Sequence, residues 1–286
     1  MTSTPLPLPL RVLVKGASTV NATSPMGGPR TDLAYPRATE AELLAAGRVA
    51  EVRDTSLASE RVKTALKRWQ REVFNFSPDV VVLNYGHFES IHLFLPQPLE
   101  RHANSLQSRP GPVRDAYRRI LLRPLWMSLA RLQQRLDRAL PSTIFSHRPR
   151  RVANDLERLV QRTQMIQSPL VLILELTPPG ERFLKWFPGI GERMEVMNQT
   201  LAEVVRRIDK PNVRFFSTSA ALAELSAAGH DLVPDGGHYT PVAHRAIATA
   251  LAREILAWAD QQPHLNAGTQ PGVDGARHEP IRAEAT

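Results

Sequence analysis

Residues 78–90 read Pro-Asp-Val-Val-Val-Leu-Asn-Tyr-Gly-His-Phe-Glu-Ser. Pro78 and Asp79 interrupt what precedes them, and residues 80–84 then run almost without a polar break. A half-exposed strand alternates apolar and polar residues. A run this uniform fits a strand of a parallel sheet covered on both faces. Such sheets need strands that alternate with helices, and the flanking sequence supplies both. Residues 10–15 (LRVLVK) form a second apolar run, closed by Gly16. Residues 169–176 (PLVLILEL) form a third, ending in Thr177-Pro178-Pro179-Gly180. Residues 49–53 and 213–217 read as weaker strands.

The helical signals fall between these runs. Thr39 with Glu42 three residues later is a capping-box pattern, and Gly47 is the matching stop. Residues 59–73 align Val62, Leu66, Trp69 and Val73 on one face. Residues 192–208 read as a helix. Thr240 is a good N-cap with Pro241 in the first turn, opening a helix over residues 242–258. The expectation is an α/β fold with a parallel sheet and a helical insertion between the third and fourth strands. In that insertion, residues 113–122 and 124–140 read as two helices broken at Pro124. Tyr117, Leu121, Leu125, Leu129, Leu132, Leu136 and Leu140 give them an apolar stripe. Residues 150–165 read as a third helix. The predicted organisation is an extension over residues 1–9, one domain over residues 10–260 with a basic helical cap at 101–165, and a disordered tail at 261–286.

The chain of 286 residues and 31.9 kDa is 42% hydrophobic, which excludes a disordered acidic protein. It has no cysteine, which excludes a disulfide scaffold, a thiol nucleophile and cysteine-ligated zinc. No apolar run reaches ~18 residues, so no membrane span is expected. The proline-rich N-terminus lacks a basic n-region, and a cytoplasmic location is the default expectation. The net charge is +8, carried by five lysines and 31 arginines. Residues 101–162 hold fourteen arginines and no lysine, against Asp115, Asp137, Asp155 and Glu157. Either this is a compositional bias towards arginine, or the segment faces an anionic substrate or an anionic membrane surface. No aromatic platform or reading motif accompanies the arginines, which argues against nucleic acid.

Ligands of open α/β sheets bind beyond the carboxyl ends of the strands. Three loops there carry chemistry. The first holds Gly16-Ala17-Ser18-Thr19, where a serine follows a strand-ending glycine, as a nucleophile or as a helix cap. The second is residues 84–89, with Glu89 either orienting His87 or simply solvated. The third is Pro234-Asp235-Gly236-Gly237-His238. A serine hydroxyl is a weak nucleophile until a base takes its proton, and a carboxylate must hold that base. Asp235 and His238 can supply both, or they mark an ordinary surface turn. His230 and His244 read as structural or surface residues, and Asn198 as a packing hydrogen bond. Phe183, Trp186 and Phe187 read as loop packing or as the wall of an acyl pocket.

Taken together, order and spacing resemble the SGNH/GDSL hydrolase superfamily of esterases, lipases and acyl-transfer enzymes. KGAST resembles its first block, residues 78–90 its third, and DGGHYTPVAHRAIATAL its last. The likeness spans residues 10–258. It implies a three-layer α/β/α fold with a five-stranded parallel, flavodoxin-like sheet, and an active site without metal or cofactor. It implies Ser18 as nucleophile, His238 as base and Asp235 as orienter, acting on a small-molecule, lipid or glycan ester. The oxyanion would be held by the Ser18 and Gly86 backbone N–H groups. Phe88 stands where the third block has asparagine, so a side-chain donor falls to His87 or Asn84. The second block's glycine is missing from residues 54–59, where the backbone at Ala58 or Ser59 is the substitute. The rival expectation is a weak or inactive member that only binds a glycan, lipid or protein.

Overall fold

A computed structural model describes residues 8–24, 28–91, 99, 102, 111–140 and 147–266. Its principal elements are β1 (Leu10–Gly16), α1 (Ser18–Asn21), α2 (Tyr35–Ala45), β2 (Ala50–Asp54), α3 (Val62–Trp69), β3 (Val80–Asn84) and α4 (His87–Ile91). They continue with α5 (Pro112–Tyr117), α6 (Arg123–Ala139), α7 (His147–Gln164), β4 (Leu170–Leu174), α8 (Glu181–Trp186), α9 (Ile190–Ile208), β5 (Val213–Phe216) and α10 (Pro241–Ala259). The five strands form one sheet in the order β2-β1-β3-β4-β5, every pair parallel. Val12 stands opposite Val80, Val80 opposite Leu170, and Val171 opposite Val213. The order reverses between β1 and β3, which is the switch point where a crevice opens at the carboxyl edge.

The sheet is covered on both sides, as its apolar strands require. Every residue of β3 and β4 is buried. Leu10, Val12 and Val14 of β1 share one core with Leu43 of α2 and with Ala243, Ile247, Leu251 and Ile255 of α10. Leu13 points to the other core, with Val62 of α3, Leu156 and Leu159 of α7, and Met197 and Leu201 of α9. This period-two split makes a three-layer α/β/α sandwich. Lys15, on the same face as Leu13, is fully buried. Its ammonium donates to a carboxylate oxygen of Glu72 and to Thr55 Oγ1 at 3.2 Å. Arg68 joins Glu72 and, at 2.9 Å, Glu60, which accepts a hydrogen bond from Tyr85 Oη at 3.0 Å.

Several elements differ from the sequence reading. Helix α2 begins at Tyr35, with Pro36 in its first turn, and Thr39 lies buried inside it. Pro36 is a helix-starting signal at least as strong as the capping box. Gly47, at φ 80°, does end the helix. Pro124 breaks nothing: a π-helical turn at Arg118–Leu122 joins α5 to α6. A widened turn relieves the clash between a proline ring and the preceding carbonyl. The segment 101–165 also divides in two. Helix α7 lies in the layer over the sheet, with Val152, Leu156 and Leu159 in the core. Helix α6 docks through polar residues: Gln133 Nε2 donates to the Ile91 carbonyl at 2.6 Å, and Asp137 pairs with Arg193. Along the leucine stripe, Leu121, Leu125, Leu132 and Leu140 are exposed, while Leu129 and Leu136 are half-buried. At the other end, Pro263–Asn266 form a helical turn with Leu265 buried. Residues 1–7 and 267–286 lie outside the described residues.

Candidate active site

Strand β1 ends where it presses on β3. A Cβ at Gly16 would come within 2.5 Å of Val20 Cγ2 and 2.6 Å of the Asn84 carbonyl oxygen. Ala17 is extended, and the chain then turns directly into α1, so Ser18 is the first helical residue. That turn sets the hydroxyl at the head of the switch-point crevice. The loop before α10 meets it there. Ser18 Oγ lies 3.0 Å from His238 Nε2, although the two residues are 220 apart in sequence. His238 Nδ1 lies 2.7 Å from Asp235 Oδ2.

The Asp235 loop is held by its own backbone. Asp235 Oδ1 accepts the N–H groups of Gly237 at 2.9 Å and His238 at 2.8 Å. Gly236 sits at φ 100°, with Phe183 so close that a Cβ would lie 2.4 Å from its ring. Burial alone would raise the Asp235 pKa. The His238 ring and the two backbone N–H groups outweigh it and bring the carboxyl down to about 2. An ionised Asp235 favours the tautomer with a proton on His238 Nδ1, in which the Nε2 lone pair faces Ser18.

Cross-ties hold the two loops in register. The Ser24 N–H donates to the Tyr239 carbonyl at 2.9 Å. His244 Nδ1 accepts the Tyr35 N–H at 3.2 Å, and its Nε2 donates to the Ala22 carbonyl at 3.2 Å. Burial pushes the His244 pKa down to about 4, so it stays neutral and bonded at both nitrogens. Tyr239 Oη is hydrogen-bonded to Thr177 Oγ1, which fastens the same loop to the end of β4. Nothing in the residue types of Tyr239, Tyr35 and Ala22 announces these ties, because they join segments distant in sequence. Asn198 brackets Leu176 with two hydrogen bonds, at 2.7 and 2.9 Å, in the packing role expected of it.

The residues expected to hold an oxyanion are placed unequally. Gly86 sits at φ 117°, and a Cβ there would lie 2.9 Å from Met197 Cγ. His87, next to it at the start of α4, is buried. Burial first, and then the charge of His238, push its pKa down to about 4. Its Nε2 is buried and makes no hydrogen bond among the described residues. Asn84 is buried beside Thr19, whose hydroxyl is 3.5 Å from Asn84 Oδ1, and its Nδ2 makes no hydrogen bond among the described residues. Ser59 turns the loop after β2 at φ 58°, a left-handed conformation that glycine adopts most easily. Among the described residues no hydrogen bond links it to Ser18 or His238. No cluster of three or more potential metal ligands occurs among the described residues either.

No protein-family model matches the sequence, and no curated protein matches it significantly. Solved structures do match the fold. One is LAE5, an α/β hydrolase from the metagenome of Lake Arreo, Spain, with TM-score 0.56 and 16% identity, covering 88% of this chain and 97% of that one. Another is a lipase/acylhydrolase from Enterococcus faecalis, with TM-score 0.55 and 13% identity over 87% and 96% of the two chains. A third is a catalytic mutant of Axe2, an acetylxylan esterase from Geobacillus stearothermophilus, with TM-score 0.54 and 15% identity over 88% and 96%. At such identities the likeness establishes the fold.

Proposed function

We propose that this chain is a serine hydrolase of the SGNH type that cleaves or transfers the acyl group of an oxygen ester. The observation that carries the reading is the hydrogen-bonded chain Ser18–His238–Asp235, with contacts of 3.0 and 2.7 Å at the switch point. Ester-cleaving enzymes among the structural neighbours support it. In the proposed reaction, Ser18 Oγ attacks the acyl carbonyl while His238 Nε2 takes its proton. The imidazolium that forms lies against the Asp235 carboxylate. The tetrahedral oxyanion faces the Ser18 and Gly86 backbone N–H groups and His87 Nε2–H. His238 then protonates the departing alkoxide. Water or a second alcohol attacks the acyl-enzyme, losing its proton to His238, which hands it to Ser18 Oγ as the acyl–Oγ bond breaks and the acid or new ester leaves. A small-molecule, lipid or glycan ester suits this chemistry.

The test is labelling of the pure protein with a fluorophosphonate probe, read by peptide mass, together with turnover of short-chain p-nitrophenyl esters. Ser18 should carry the label. Ser18→Ala and His238→Ala should each lose nearly all turnover, by about 10³-fold or more, at an unchanged melting temperature. Equal turnover by wild type and Ser18→Ala overturns the reading and leaves the binding-module alternative.

A further inference from the structure

The loops that leave β2 and β3 flank the Ser18 turn from both sides, because β1 lies between those two strands. On the β2 side, the Thr55 N–H donates to the Val14 carbonyl at 3.0 Å and the Leu57 N–H to the Gly16 carbonyl at 3.2 Å. Asn21 Nδ2 donates to the Ser56 carbonyl at 3.4 Å. On the β3 side, Gly16 stands opposite Asn84, and Tyr85 and Gly86 follow. One hydrogen bond joins the two loops: Tyr85 Oη donates to Glu60 Oε2 at 3.0 Å, with both residues buried. Glu60 directly follows Ser59, which holds a left-handed turn at φ 58°. Tyr85 directly precedes Gly86, whose backbone N–H the proposed reaction turns towards the oxyanion.

The acceptor is itself fixed. Arg68 Nη1 donates to the other oxygen, Glu60 Oε1, at 2.9 Å. Arg68 also pairs with Glu72, which accepts from the buried Lys15 ammonium. Lys15 lies on the strand that leads to Ser18 and reaches Thr55 Oγ1 at 3.2 Å. Two buried carboxylates thus meet Lys15 and Arg68, and each of their four oxygens faces a donor. Such a network adds little net stability, because desolvation offsets its attraction. Its place is what sets it apart: its members come from the ends of β1 and β3, the loop after β2, and α3 with the turn that follows it. Burial, and then the Glu60 charge, push the Tyr85 pKa well above the usual phenol value, so the hydroxyl stays a donor. A left-handed serine is strained and persists where its surroundings fix it. We propose that Glu60 and Tyr85 are positioning residues for the oxyanion side of the site: their hydrogen bond holds the Ser59 turn and the Gly86–His87 segment in register across Ser18. The inference rests on the hydrolase reading for its reaction and on the hydrogen bond for its geometry. A misplacement of about 1 Å at a reacting centre costs on the order of 10²-fold, so a loosened tie is measurable.

The experiment compares wild type with Tyr85→Phe, which removes the hydroxyl and keeps the ring in the core. Turnover of p-nitrophenyl acetate is read per folded molecule, with the folded fraction taken from circular dichroism. Tyr85→Phe should lower kcat by about tenfold while KM changes less than about threefold. Glu60→Gln keeps an oxygen to accept the Tyr85 hydroxyl and should lose less; where it does not fold, Tyr85→Phe decides alone. In the His87→Ala background, Tyr85→Phe should cost under about threefold, because the donor it helps to place is already gone. A merely structural role would cost the same in both backgrounds. A second arm is independent of the chemistry. The Leu57, Glu60 and Ser90 N–H groups are hydrogen-bonded at 3.2, 3.0 and 3.0 Å. Peptides carrying them should exchange hydrogen about tenfold faster in Tyr85→Phe, while peptides of β4 and α10 keep wild-type protection. If wild type turns over no ester and takes no fluorophosphonate, the hydrolase reading fails, and faster exchange at the two loops still supports the tie. The inference is overturned if exchange at both loops is unchanged, if kcat falls less than about twofold, or if the full loss persists in His87→Ala. It is also overturned if folded Glu60→Gln loses as much as Tyr85→Phe.

Discussion

His87 separates a hydrogen-bonded role from a buried accident. It stands beside Gly86, neutral because burial and the His238 charge hold its pKa near 4, with Nε2 unbonded among the described residues. A neutral donor that waits without a partner is suited to a charge that exists only in the transition state. His87→Ala should therefore lower kcat by about 10²-fold with KM changed less than about threefold, and His87→Gln should recover part of the loss. Steady-state kinetics on a p-nitrophenyl ester checks this, and a loss below threefold returns His87 to the core. At this scale the sequence was most informative where chemistry and spacing coincide. Ser18, Asp235 and His238 stand out by type and loop position, and they lie within hydrogen-bonding reach. The cross-ties of His244, Tyr239 and Tyr35 do not stand out, because a hydrogen bond between loops leaves no periodic signal. Lys15 misleads for the opposite reason: its type suggests solvent, and its pairing with Glu72 is made by a helix 57 residues later.

Among the elements, strands were the most legible. VVVLN and LVLIL carry their burial in their composition, and both lie at the centre of the sheet. Helix α6 was less legible: an apolar stripe normally marks the inward face, yet Leu125 and Leu132 on it are exposed. Its inward contacts include two polar ones, Gln133 to the Ile91 carbonyl and Asp137 to Arg193, beside Ala130 against the core. Unfolding by urea can rank the two faces. Leu125→Gln and Leu132→Gln should each change stability by less than about 0.5 kcal/mol, as exposed positions do. Asp137→Ala should cost about 3 kcal/mol, because it strands the buried Arg193 charge. The reverse order would mean that something covers the leucines and that the ion pair contributes little.

The whole molecule has an acid liability written into its core. The folded state holds His87 and His244 neutral with pKa values of about 4, against 6.5 for an ordinary histidine. Between those values the unfolded chain takes up protons that the folded one refuses. Stability therefore falls as pH drops from 6.5 towards 4, by about 1.4 kcal/mol per pH unit for each histidine once well inside that window. Asp235, held at about 2 instead of 3.8, adds a further loss only below that window. Melting temperatures at pH 7, 6 and 5 should decline steadily, and His244→Gln should reduce the slope by about half. A flat profile would show that neither ring is as deeply desolvated as its packing indicates.

The separation of Ser18 from His238 by 220 residues has a consequence for biosynthesis. A ribosome delivers the Ser18 hydroxyl 220 residues before the His238 ring that lies within hydrogen-bonding distance of it. Until that ring emerges, the Ser18 hydroxyl lacks the contact. On the proposed mechanism, a chain that stops short of His238 has no base for Ser18, so reactivity would arrive only after all five strands have been made.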